Sequence, residues 1–295
     1  MKGERNILLV INPAAGRASY EKRLSYLEKK LRDNHLTCTN FFTRRGGEGE
    51  LASFMRENPE IDEVIILGGD GTLNYVVNEL LEKPVLLSIV SNGTGNDSVK
   101  SLHGEMRFKK QVEIAMHGRI KRFDLGTCNG RAFVNGVGIG FDGQVVQRMA
   151  ARKKKRGSHL DYLVTVIRTL ANFKEKLLRF SLDGKTFERK VLLMTVSNGT
   201  TFGGGFKINP LACSDDGFLD VCLLNEISPF LRFWHLPRLK TGSHQHLRQV
   251  ELFKAKRVLM QATDELVAHL DGEYAGHPPF ELSILPRALE LRVPR

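Results

Sequence analysis

Long apolar runs are missing from this chain. The longest runs in its 295 residues extend over only a few positions, well short of the roughly 20 that a membrane-spanning helix needs. No such helix is expected. The first apolar run, Ile7–Ile11, meets Asn12-Pro13 at once; it is too short for a signal peptide and reads as a first strand. Cysteine is scarce, and Cys38, Cys128, Cys213 and Cys222 form no C-x-x-C pair and no zinc spacing. That pattern points to reduced thiols in a cytoplasmic protein. The P-loop signature, GxxxxGK followed by Ser or Thr, is absent, which excludes a P-loop kinase. No acid occurs between Asp142 and Asp161 or from Ile227 to Val250. Internal repeats and low-complexity linkers are absent as well. What remains is 41% apolar and 26% charged residues, the balance of a soluble globular protein of one or two domains. The formal net charge of +11 favours a polyanionic partner, nucleic acid or an anionic membrane surface.

The chain is organised around Gly68-Gly69-Asp70-Gly71-Thr72-Leu73-Asn74. The β-branched run Val64–Leu67 before it reads as a buried strand, and apolar residues at 76, 77, 80 and 81 predict a helix over Asn74–Leu81. Strand, glycine turn and helix form the layout of a phosphate cradle. Glycines turn the chain tightly and bring bare N–H groups to an anion, and the helix N-terminus adds partial positive charge. Asp70 narrows the reading, because a carboxylate repels phosphate unless Mg²⁺ or ordered water lies between them. One βα unit earlier, Asn12-Pro13-Ala14-Ala15-Gly16-Arg17 follows the first strand and precedes a helix from about Ser19 to Asp33. Its small residues admit a phosphate and Arg17 neutralises it. A second strand, Thr37–Thr43, leads to a helix over Glu48–Asn58. A further strand, Val85–Val90, runs into Ser91-Asn92-Gly93-Thr94-Gly95-Asn96-Asp97. Two glycine loops at successive strand ends face one another across a crevice, where open α/β sheets bind ligands.

Near Gly118 the pattern changes. Asn129-Gly130 and Asp183-Gly184 each sit between apolar runs, a strong hairpin signal. Strands are expected over Phe218–Leu224, Gln249–Ala262, Glu265–Leu270 and Phe280–Leu285, with few helices. The fold class that follows is α/β plus β: an N-terminal open α/β nucleotide-binding domain over 1–122, and a C-terminal antiparallel β-sandwich over 123–285. The last residues, 286–295, are left open to return to the first domain. Gly138-Ile139-Gly140-Phe141-Asp142-Gly143 matches GxGxxG. It is rejected as a dinucleotide fingerprint, since the strand before it belongs to an antiparallel hairpin and no short βαβ return follows.

G-G-D-G-T-L-N resembles the nucleotide-binding motif of the diacylglycerol kinase catalytic domain family, which includes bacterial soluble lipid kinases and sphingosine kinases. The same core occurs in NAD kinases and 6-phosphofructokinases. The resemblance covers nearly the whole chain and implies ATP and Mg²⁺ as cofactors. It implies nucleotide contacts from Asn12 through Arg17, from Thr43, from Gly68 through Asn74, and from Thr94, Asn96 and Asp97. It also implies an Mg²⁺ and water network on Asp70, Asp97 and Asp124. Asp215-Asp216-Gly217-Phe218 resembles a segment that holds a structural Mg²⁺ through Asp216 and the carbonyls of Cys213 and Phe218. Asn135 with Gly140-Phe141-Asp142 fits the family's domain junction. In place of the acid that usually follows the motif's Asn, this chain has Tyr75.

Leu270-Asp271-Gly272-Glu273 resembles the family's L-D-G-E motif and supplies a candidate base. On one strand over Leu266–Glu273, Asp271 and Glu273 point to the same face. Two carboxylates so close raise the proton affinity of one of them. Asp271 is favoured as acceptor, with Glu273 as partner or alternative. The resulting expectation is a lipid kinase acting on diacylglycerol at an anionic membrane surface, cytoplasmic and peripherally attached, with no nucleic-acid partner; a homodimer is compatible with it. Six cations within Arg148–Arg156 fit that surface. The stretch Ile227–Val250 reads either as an interfacial amphipathic segment or as a core helix. The alternatives are an NAD kinase and a catalytically silent nucleotide sensor.

Overall fold

The computed structural model describes residues 5–295 except 17–19, 84, 94, 152–158, 262 and 264. It divides into two compact units, Met1–Asp124 with Arg287–Arg295, and Leu125–Pro286.

Unit 1 alternates strands and helices: β1 Ile7–Ile11, α1 Tyr20–Asp33, β2 Cys38–Phe42, α2 Glu50–Glu57, β3 Glu63–Gly68, α3 Asp70–Glu79, β4 Leu86–Ser91, α4 Asp97–His103 and α5 Phe108–His117. The strands lie in the order β2, β1, β3, β4, all parallel, with Ile11 opposite Leu67 and Gly68 opposite Ser91. Both faces of β1 and β3 are covered, which is why they read as unbroken apolar runs. Ile7, Leu9, Ile11, Ile65 and Leu67 pack with Leu27 and Leu31 of α1 and Val112 of α5. Leu8, Val10, Val64 and Ile66 fill the other face.

The chain leaves through β5 Arg119–Cys128. Unit 2 contains β6 Arg131–Phe133, β7 Gly136–Gly140, α6 Phe141–Ala150, α7 His159–Asn172, β8 Lys176–Leu182, β9 Lys185–Ser197, β10 Leu219–Asn225, α8 Pro229–Thr241, β11 Val250–Ala255, β12 Arg257–Met260, β13 Ala268–Leu270 and β14 Glu273–Gly276. It is sandwich-like and antiparallel. The long β9 is its hub and pairs with β7, β8 and β10. The last strand, β15 Phe280–Val293, pairs with β12 through Phe280–Ser283 and with β4, in parallel, through Glu290 and Leu291. In unit 1 its Arg292 and the N-terminal Arg5 both grip the buried Glu63, at 2.7 and 2.6 Å.

Three expectations change. The run Gln249–Ala262 is two strands, because β11 pairs with β10 while β12 pairs with β8 and β15. At the break, Asp183 of the β8–β9 turn accepts the N–H groups of Lys256 and Arg257, at 3.0 and 2.8 Å. Leu266–Glu273 is also not one strand. It is a hairpin, β13–β14, turning at Asp271 (φ 47°) and Gly272 (φ 85°). Finally, α3 begins at Asp70 rather than Asn74. A carboxylate in a first helical turn is favoured by the backbone dipole, so the motif runs straight into the helix.

Candidate active site

Three loops meet where β1, β3 and β4 end. Asn12 donates its amide N–H to the Thr72 hydroxyl (2.9 Å), and its carbonyl oxygen accepts the Ala14 N–H (3.0 Å). Asn92 donates to the Ala15 carbonyl (2.9 Å). The Thr43 N–H donates to the Ile11 carbonyl at 2.8 Å, which brings the end of β2 beside the first loop. The glycines of the central motif serve close approach rather than turning. Gly68 and Gly69 are absent from the positions with positive φ. A Cβ on Gly68 would lie 2.4 Å from Thr72, and one on Gly69 would lie 3.0 Å from the Gly93 backbone. Likewise a Cβ on Gly16 would strike the Asn92 carbonyl at 1.7 Å. The loops touch backbone to backbone, so larger residues would push them apart.

Asp70 is fixed by the next loop. Its two carboxylate oxygens accept the N–H groups of Asp97 (3.1 Å) and Ser98 (3.0 Å), at the start of α4. A Cβ on Gly95 would lie 3.4 Å from an Asp70 oxygen and 3.8 Å from an Asp97 oxygen. The two acids thus flank one bare glycine, and Asn96 holds that turn at φ 52°. Gly69, Asp70 and Gly71 keep access to solvent, while Thr72, Leu73 and Asn74 are buried. The side chains of that last trio support the loop from inside. Pro13, Ala14 and Ala15 sit at the surface of the first loop. Arg17, Thr94 and the cations 152–156 lie outside the described residues.

Asp124 is buried, and its Oδ1 accepts the Arg287 N–H at 2.7 Å. Among the described residues no three His, Cys, Asp or Glu side chains come together to hold a metal ion. Asp70 has both oxygens on backbone N–H groups and Asp97 has the Lys100 ammonium at 3.7 Å, so a divalent ion held by this pair would be reached through water. In the Asp216 set the side chain is engaged by protein groups. Asp216 accepts the Phe218 N–H at 3.1 Å and binds the Lys254 ammonium, which also lies 3.4 Å from Asp220. The Cys213 N–H is turned to Asp220 (3.2 Å). A lysine already supplies the positive charge there.

In unit 2 the two candidate carboxylates have different partners. Asp271 accepts three backbone N–H groups, from Val134 (2.9 Å), Asn135 (3.0 Å) and Gly136 (2.8 Å). Glu273 is exposed and pairs with Arg131 at 2.6 Å. The same-face geometry is therefore lost: the turn places Asp271 at its corner and Glu273 at the start of β14. Next to them, buried His269 accepts the Gly272 N–H on Nδ1 (3.3 Å). That bond puts a neutral ring's proton on Nε2, which lies 3.4 Å from Asp142. A Cβ on Gly138 would lie 2.0 Å from Asp142 and 2.4 Å from His269. The GxGxxG glycine thus makes room for an Asp–His contact, and β7 is antiparallel to both neighbours. Sequence reasoning missed this contact, together with Asn92 and Arg131. Only Asn92, inside a glycine loop, carried a visible signal.

Parallel strands end in touching glycine loops, and a sandwich-like antiparallel unit follows them along the chain. Residues 6–128 match the diacylglycerol kinase catalytic domain, and residues 135–293 match the YegS C-terminal NAD kinase beta sandwich-like domain. The chain belongs to the diacylglycerol kinase catalytic-domain family. It is similar to diacylglycerol kinases of Bacillus subtilis (strain 168), 27% identical over 97% of this chain and 96% of the relative, and of Staphylococcus carnosus (strain TM300), 25% identical over 97% and 94%. A solved structure of a diacylglycerol kinase from Bacillus anthracis str. Sterne shares the fold, with a TM-score of 0.76, 20% identity, and 99% and 98% of the two chains covered.

Proposed function

We propose that this chain is an ATP- and Mg²⁺-dependent lipid kinase that transfers the γ-phosphoryl group to the hydroxyl of diacylglycerol, giving phosphatidic acid. The observation that carries the reading is Asp70, held by the first N–H groups of α4 and facing Gly95 together with Asp97. Phosphoryl transfer relies on positioning and charge neutralisation more than on covalent chemistry by the protein. The bare loops around Gly16, Gly69, Gly71 and Gly95 bring backbone close to the phosphates. Asp70 and Asp97 would order Mg²⁺ through its waters, and the ion would neutralise charge on the transferring group. Asp124, buried and accepting the Arg287 N–H, would join that network through water.

The lipid hydroxyl has a pKa far above neutrality, so its attack gains from a positioned proton acceptor. Asp271 has its lone pairs directed at three backbone N–H groups. Glu273 is the exposed acid of the pair, oriented by Arg131. We assign the proton to Glu273 and the shaping of the turn to Asp271. The names of the relatives favour diacylglycerol over NAD as acceptor.

The test offers labelled ATP with dispersed diacylglycerol, and separately with NAD. Labelled phosphatidic acid that requires Mg²⁺ is expected. Label in NADP, or ATP binding with no transfer to any acceptor, refutes the proposal. Asp70→Ala should abolish transfer. It also removes a helix cap and lowers stability by about 1 kcal/mol, so a thermal melt accompanies the assay. Normal turnover in this variant would remove Asp70 from the site.

A further inference from the structure

We propose that the exposed face of α8 in unit 2 docks on an anionic lipid bilayer. The inference rests on the lipid-kinase reading above and names the surface through which that site meets its substrate.

The helix has two unlike sides. Arg232 is buried, 6% exposed, and ties α8 to the body of the unit. It donates to the carbonyls of Ile227, Leu170 and Phe173 and pairs with Glu175 at 2.6 Å. Leu231 and Leu236 pack on the hydrophobic core. The opposite stripe faces out: Phe230 is 76% exposed, Trp234 68% and Phe233 39%. Residues 230, 233, 234 and 237 share one side of a helix. One face is thus that of a core helix, and the opposite face is left to solvent.

Three observations select a bilayer as the occupant. First, large aromatic side chains held out in water on a rigid helix suit a membrane interface, where Trp and Phe are favoured. Second, the flank is basic. Arg238 and Lys240 are exposed in the last turn. Exposed Lys207 is joined there by its N–H to the Leu239 carbonyl (2.8 Å). Third, no acid lies between Ile227 and Val250. Such a flank is drawn to anionic headgroups within a Debye length. A second copy fits less well, since it brings a second basic flank to this face in a chain of net charge +11.

The chain holds one tryptophan, Trp234, so its emission reports this helix alone. With phosphatidylcholine vesicles containing phosphatidylglycerol, the emission should shift to the blue and resist acrylamide quenching. With phosphatidylcholine alone the change should be small, and added salt should reverse it. Phe230→Ser should weaken vesicle sedimentation at least roughly tenfold, the equivalent of one large apolar side chain. Its thermal melt and its turnover of dispersed short-chain diacylglycerol should stay at wild-type values. Arg238→Gln with Lys240→Gln should weaken binding and flatten its salt dependence. The proposal is overturned if the protein sediments with vesicles while Trp234 stays quenchable, or if it does not sediment at all. Unchanged binding by Phe230→Ser overturns it too, as does a Trp234 shift that follows protein concentration without vesicles. If the wild type phosphorylates no lipid but Trp234 enters the bilayer, the kinase reading fails and the docking surface stands.

Discussion

Asp271 accepts three backbone N–H groups, whereas Glu273 stands on the surface against Arg131. Two substitutions separate these roles. Glu273→Gln removes a proton acceptor and leaves the turn intact; it should cut turnover ~100-fold or more without moving the melting temperature. Asp271→Asn puts an NH₂ where an oxygen met a backbone N–H, and should cost about 1–3 kcal/mol of stability, with activity falling alongside it. A wild-type melt for Asp271→Asn combined with lost turnover would return the base to Asp271. The cysteines give a second test at this scale. Burial pushes the Cys128 thiol up to about 11 and the Cys222 thiol up to about 12. Cys38 is raised by burial, and Cys213 by its hydrogen bond to Asp215, yet both keep some exposure. The thiolate is the reactive form, so a disulfide reagent at neutral pH should modify Cys38 and Cys213 first. Cys128 and Cys222 should react only after denaturant is added. Tyr75 also has a local explanation. Its hydroxyl donates to the Gly47 carbonyl at 3.0 Å, and burial pushes its pKa up to about 12, so it remains a neutral tether between α3 and the loop before α2.

Three hairpin elements share one device. Asn129, Asp183 and Asp271 occupy left-handed corners at φ 48°, 47° and 47°, each followed by a glycine of positive φ. Each side chain then accepts backbone N–H groups from a distant segment. The third hairpin carries the same Asp-Gly signal as the second. In L-D-G-E the turn signal coincides with the acid pair, and the left-handed Asp271-Gly272 corner makes it a hairpin rather than one strand. The pairing of β10 with β11 supplies another prediction. Lys254 on β11 sits between Asp216 and Asp220. Burial raises the Asp220 pKa and Lys254 opposes that rise. An acid with a raised folded pKa binds more protons when folded, so its contribution to stability falls as pH rises. Lys254→Met should therefore melt below wild type at neutral pH and recover on acidification. Magnesium should raise the melting temperature of the variant, while chelator leaves the wild type unchanged. A wild-type melt that falls with chelator would restore a resident metal to this segment.

Across the whole molecule, unit 1 is completed by the far end of the chain. Glu63 lies buried between Arg5 and Arg292, whose guanidinium groups reach both its oxygens. Glu63→Ala leaves two cations without their counter-charge and should cost about 3 kcal/mol or more, measured by urea unfolding; a loss below about 1 kcal/mol would mean that water compensates the arginines. The sequence alone determined what is local. Apolar period separated strands from helices, glycine loops marked the ends of β3 and β4, and Asn-Gly and Asp-Gly marked turns. Tertiary structure decided which lone pair meets which N–H. Asp271 and Val134 stand 137 residues apart, and no periodicity records that they touch. The same holds for Lys254 with Asp216, and for Gly69 against Gly93, where the absence of a side chain matters because of a neighbour from another loop. A local pattern encodes the backbone's choice of element. The protonation and reach of a side chain depend on what the fold brings to it from elsewhere.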